Sequence, residues 1–66
     1  MTTVHPDLIV VGNWILPPGR KRFIQVIAQL SDPARADYFE FACLSASGAS
    51  AVRLHRSLLI EVRADA

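Results

Sequence analysis

From Phe23 to Leu30 the chain alternates, with Ile24, Val26, Ala28 and Leu30 on one side and Gln25 and Gln29 on the other. Period two with β-branched residues on one side is the pattern of a strand that turns one face to a core. Immediately before it, Pro17-Pro18-Gly19 places proline and glycine at the second and third positions of a type II turn, where a fixed φ and a positive φ are needed. Arg20-Lys21-Arg22 then leads into the strand. This segment reads as the central strand of a small antiparallel barrel.

Length narrows what can surround it. A chain of 66 residues makes one domain, here 1–66 with an ordered core over about 8–63. Such a domain buries roughly 60% of the surface its unfolded chain exposes. Hydrophobic residues make up 52% of the sequence, so the chain is a folding one, with more apolar surface than so small a domain readily hides. The lone Cys43 rules out an intrachain disulfide, and no metal-ligand spacing is visible to staple the fold. No run approaches the roughly 20 apolar residues of a membrane span, and Met1 to Asp7 lacks the pattern of a signal peptide. The expected compartment is the cytoplasm. Arginine supplies six of the seven basic residues, a bias that points to a GC-rich bacterial or phage genome.

Met1 to Asp7 reads as an extended lead-in, with Pro6 keeping His5 out of helix. Leu8 to Val11 and Trp14 to Leu16 read as one strand bent at Gly12-Asn13. Two readings compete for residues 33–47. Asp32-Pro33 resembles a helix start and Gly48 a helix stop. Tyr38 to Leu44, however, puts Phe39, Phe41 and Cys43 on one strand face, and a helix here would be apolar nearly all round. A loop at Asp32–Asp37 and a strand at Tyr38–Leu44 is therefore expected. Ser45 to Ser50 has the composition of a hairpin loop. Val52 and Leu54 then point inward, with Arg53 and His55 outward. A tight or 3₁₀ turn at His55–Leu58 leads to a last strand with Ile60 and Val62 inward.

Five short strands of this kind resemble the SH3-like small β-barrels. Val11-Gly12-Asn13-Trp14-Ile15 and the strand-turn-strand finish from Val52 to Val62 carry the resemblance. It implies an all-β fold: a single five-stranded antiparallel barrel with one short 3₁₀ turn before the last strand. The acidic loop and paired aromatics of peptide-binding SH3 domains have no counterpart here, so polyproline recognition is not implied. Arg20-Lys21-Arg22 is faintly similar to the basic loops of RNA-associated barrels.

Two kinds of site follow from the residues. Phe23, Ile27, Tyr38, Ala42 and Leu44 fall opposite the core positions of their strands, and an apolar outer patch implies a protein partner or a homo-oligomer. Trp14, the only tryptophan, either plugs the core or joins that interface, where tryptophan is enriched. The interface candidates are thus Trp14, Phe23, Ile27 and Tyr38. Arg20, Lys21, Arg22, Arg53 and Arg56 are candidate phosphate contacts, with Arg63 able to extend them. A net charge of +1 makes such nucleic-acid binding weak, and these residues equally suit a solvated turn. Cys43, set among Phe41, Ala42 and Leu44, reads as an inert core thiol and not as half of a pair with His55. No phosphate loop, paired carboxylates or nucleophile motif is present, so neither an enzyme, a cofactor nor a small-molecule substrate is expected.

Overall fold

The computed structural model describes residues 2–30 and 37–64. They build one antiparallel sheet of six strands: β1 (Thr2–Val4), β2 (Trp14–Leu16), β3 (Ile24–Gln29), β4 (Tyr38–Ser45), β5 (Gly48–His55) and β6 (Ile60–Arg63). Neighbours follow the order β1-β6-β2-β3-β4-β5, so β2 to β5 form a meander and β6 returns beside β2. The all-β expectation holds, and β3 sits in the middle of the sheet. The five-stranded barrel is met only in part: the described residues form six strands, and the sheet is not closed, since the outer two, β1 and β5, do not pair with each other.

The sixth strand comes from the segment expected to be a lead-in. Thr2, Thr3 and Val4 lie opposite Val62, Glu61 and Ile60. β-Branched residues suit a pleated surface, but only the return of β6 supplies the partner. Pro6 then opens a 3₁₀ turn at Pro6–Leu8, where its missing N–H costs nothing. This is the 3₁₀ element of the described residues, whereas the link between β5 and β6 is a single turn closed by Leu58 N–H to the His55 carbonyl at 3.0 Å. The apolar run Leu8–Val11 is not strand. Leu8 belongs to the 3₁₀ turn, Ile9 alone is buried, and Val10 begins a turn closed by Asn13 N–H at 3.1 Å. Gly12, at φ +99°, supplies the bend expected of it.

The core is the inner face of the sheet. Ile15, Ile24, Val26, Phe39, Phe41 and Cys43 are buried from β2 to β4, joined by Val52, Leu54, Ile60 and the loop residue Ile9. Among the described residues no polar or charged side chain is buried with them. The strand reading of Tyr38–Leu44 holds and the helix over 33–47 does not; the loop expected at Asp32–Asp37 lies, apart from Asp37, outside the described residues.

Two expectations fail at the strand level. In β3 the register jumps: Val26 faces Cys43, but Ala28, not Ile27, faces Ala42. Ile27 is the extra residue of a bulge, which turns Ala28 to the outer face and leaves Leu30 exposed beyond the strand end. The loop expected over Ser45–Ser50 is only Ala46-Ser47, because Gly48 already pairs with Ser45. Gly48 at φ +118°, following two residues of negative φ, closes this hairpin as a glycine bulge does.

Candidate functional site

The outer face of β2, β3 and β4 holds a cleft of about 610 Å³. Register builds it. Trp14 lies opposite Gln25, and Gln25 opposite Leu44, so the three stand in one row across three strands. β6 adds Arg63 on the far side of Trp14. The Arg63 guanidinium covers the ring of Phe23 at 4.4 Å from its centroid and holds that ring on the outer face. The turn expected at Pro17-Pro18-Gly19 is present, with Gly19 at φ +81° and Arg20 N–H bonded to the Pro17 carbonyl at 3.1 Å. It delivers Arg20 and Arg22 to the rim of the cleft, facing the hairpin tip Ser45–Ser47. At that tip the hydroxyls of Ser45 and Ser47 lie 3.0 Å apart, and Ser45 donates to the Gly48 carbonyl at 3.2 Å.

The result is an apolar floor and wall (Trp14, Phe23, Leu44) beside two arginines, with no acidic residue lining it. Such a cleft suits a partner group that is apolar at one end and anionic at the other. Trp14 is half-buried on the outer face and is not part of the core.

The remaining candidates lie elsewhere. Lys21 is exposed and does not line the cleft. Ile27 is 44% exposed in the β3 bulge. Tyr38 stands six residues from Leu44 along β4, about 20 Å away. It contacts the edge of the His55 ring at 5.0 Å and takes the Arg53 guanidinium over its face at 4.4 Å. Arg56 meets Asp37 at 3.9 Å in a solvent-exposed pair, which contributes little. Arg56 therefore does not extend the basic cluster, and Arg53 meets it only through Arg20, with which it lines a groove beside β5. Sequence reasoning missed Gln25 and the serines of the hairpin tip, whose relevance depends wholly on pairing register. Leu8, Val10, Val11 and Leu59 are exposed too, on connections and not on the sheet face.

Cys43 is fully buried on the inner face, while His55 lies on the outer side with Tyr38, so the sheet separates them. Burial pushes the Cys43 thiol above its ordinary value, and the positive charge of Arg20 only partly opposes this. A folded-state pKa raised above the unfolded one means the folded protein holds the proton more tightly. Stability is then fully present below the ordinary thiol range and falls as pH rises through it. Cys43→Ala is expected to remove that part of the alkaline loss, measured as the pH dependence of the urea midpoint. A parent and variant with parallel alkaline profiles would show that Cys43 contributes nothing to it.

Among the described residues no group of three or more histidine, cysteine, aspartate or glutamate side chains is placed to hold a metal ion. No helix there is long and apolar enough to cross a membrane. No family model, curated protein or solved structure matches the chain.

Proposed function

We propose that this chain is a non-enzymatic protein-binding module, a cytoplasmic accessory protein of bacterial or phage origin. It takes a partner protein, or a second copy of itself, on the outer face of its sheet. The observation that carries this reading is the Trp14–Gln25–Leu44 row with Phe23 beside it. Trp14, Phe23 and Leu44 gather with Gln25 in one concave site. A tryptophan in a cleft ringed by polar groups is the usual makeup of an interface hot spot. Arg20 and Arg22 at the rim select a partner segment that carries a carboxylate next to its apolar anchor.

We also read the sheet as an SH3-like barrel to which β1 has been added at one side. Support comes from the return of β6 beside β2 and from the one-turn link at Arg56-Ser57. The fold does not choose the partner, so the functional reading rests on the cleft alone.

A second reading has one observation in its favour. Trp14 and Phe23 converge with Arg20 and Arg22, and aromatic faces beside guanidinium groups are what single-stranded nucleic acid stacks and pairs on. With a net charge of +1, such binding would be weak and salt-sensitive. A pull-down from bacterial lysate, with and without nuclease, separates the two. The protein reading expects the same captured band in both arms; loss of capture on nuclease treatment replaces it with the nucleic-acid reading.

A further inference from the structure

The free edge of β5 offers a second site, which shares only Arg20 with the outer-face cleft. Asp37 and Arg56 continue the β4–β5 register by one step, and Arg56 N–H bonds the Asp37 carbonyl at 2.8 Å. Opposed antiparallel pairs alternate between bonded and non-bonded. Counting from that pair, Leu54, Val52, Ser50 and Gly48 bond to β4, and His55, Arg53, Ala51 and Ala49 do not. A separate bond agrees: the Glu40 carbonyl, opposite Arg53, accepts from Leu30 N–H at 2.8 Å on the β3 side. The N–H and C=O groups of Ala49, Ala51 and Arg53 therefore point away from the sheet. Among the described residues nothing pairs with them; β5 has β4 as its only neighbour.

Edges of this kind are normally blunted by proline, bulges or inward charges. β5 carries none of these along Ala49–Arg53, and its register with β4 is unbroken. Across from it stands a wall made by Pro17, Pro18, Arg20 and Leu58, so that a groove runs beside the edge. Two arginines, Arg20 and Arg53, line that groove, and no acidic residue does.

We propose that this groove binds an extended acidic peptide segment of another protein, which adds to β5 as a further strand. Main-chain bonds to Ala49, Ala51 and Arg53 supply the affinity, and the alternation of side chains supplies the selection. The peptide residue opposite Arg53 sits beside its guanidinium, and Arg20 stands across the groove, so carboxylates fit on that side. The intervening residues meet Val52, Leu54 and Leu58, so aliphatic side chains fit there. A segment alternating glutamate with valine satisfies both. The proposal does not rest on the outer-face cleft.

The test uses the whole chain, ¹⁵N-labelled, with a short capped peptide of alternating glutamate and valine. Amide exchange and chemical shifts are followed. The amides of Ala49, Ala51 and Arg53 are expected to shift and gain protection on titration. A matching lysine–valine peptide should bind at least about tenfold more weakly, since it loses charge-assisted bonds. Arg53→Glu is expected to reverse that preference. Ala51→Pro removes only an outward-pointing N–H, so it should abolish binding and keep the circular dichroism of the parent. If that variant unfolds, the reversal by Arg53→Glu carries the test. Trp14→Ala, in the outer-face cleft and three strands away from β5, should leave peptide binding unchanged. Failure of the glutamate peptide to protect these amides overturns the proposal. So does protection that is present without peptide and lost on dilution, which assigns the edge to a second copy of the chain.

Discussion

Replacing Phe41 by alanine is expected to leave most of the protein unfolded at room temperature. Phe41 is 1% exposed in the middle of β4, opposite Val52, and lies parallel to Phe39 with ring centroids 6.4 Å apart. Truncating a buried phenylalanine costs about 3–5 kcal/mol, from lost transfer energy and the cavity left behind. A domain of 66 residues has about 3–10 kcal/mol of stability in total. No disulfide supports it, because Cys43 is its single cysteine. Urea titration followed by Trp14 fluorescence reads the loss directly. Phe41→Leu, which fills most of the volume, should remain folded with a lower midpoint. Tyr38→Ala on the outer face of the same strand should shift the midpoint far less, because that ring is 44% exposed. Parent-like melting of Phe41→Ala would mean that β4 turns its other face to the core.

That β4 was legible at all comes from its chemistry. Three aromatic residues in four positions favour a strand, and Phe39, Phe41 and Cys43 share a parity that no helix preserves. β3 was legible for the same reason up to Val26. Beyond it the alternation continues in the sequence but not in space, since the bulge at Ile27 comes from pairing with β4 and leaves no local mark. β1 was missed because Thr2-Thr3-Val4 is too short to declare itself and its partner lies at the other end of the chain. The start of β5 was missed for the opposite reason. Gly48-Ala49-Ser50 has the composition of a turn, and only the tight closure at Gly48 makes it strand.

The candidate site divides along the same line. Sequence parity put Phe23 and Leu44 on the outer face, and the turn residues placed the basic cluster beside them. What it lacked was register: Trp14, Gln25 and Leu44 become neighbours only through two successive pairings. Tyr38 went the other way. Parity allowed it into the patch, but the length of β4 carries it to the far end, where the Arg53 guanidinium covers its ring.

Leu44→Lys is expected to move binding in opposite directions under the two functional readings. Leu44 is 46% exposed on the outer face and lies against the cleft, so a lysine there can be solvated in the free protein and the fold should be unaffected. Docking an apolar protein segment over it would desolvate an unpaired ammonium beside Arg20 and Arg22. That costs several kcal/mol, which is a loss of affinity on the order of a hundredfold or more. A nucleic-acid strand in the same cleft would instead gain a phosphate contact and a steeper salt dependence. The complementary variant replaces Arg20, Lys21 and Arg22 by alanine. It should weaken nucleic-acid binding across all sequences and flatten its salt slope, while a protein complex keeps its lifetime and loses mainly association rate. The choice between the readings turns on where Phe23 sits. Had its ring been packed in the core, the basic loop would be the better basis for function. It is held outside by Arg63, in the same cleft as Trp14 and Leu44, and the apolar face remains available to a protein. Loss of the protein complex in Leu44→Lys with retention in the triple alanine variant is therefore the expected pair of results; the reverse pair would assign the cleft to nucleic acid.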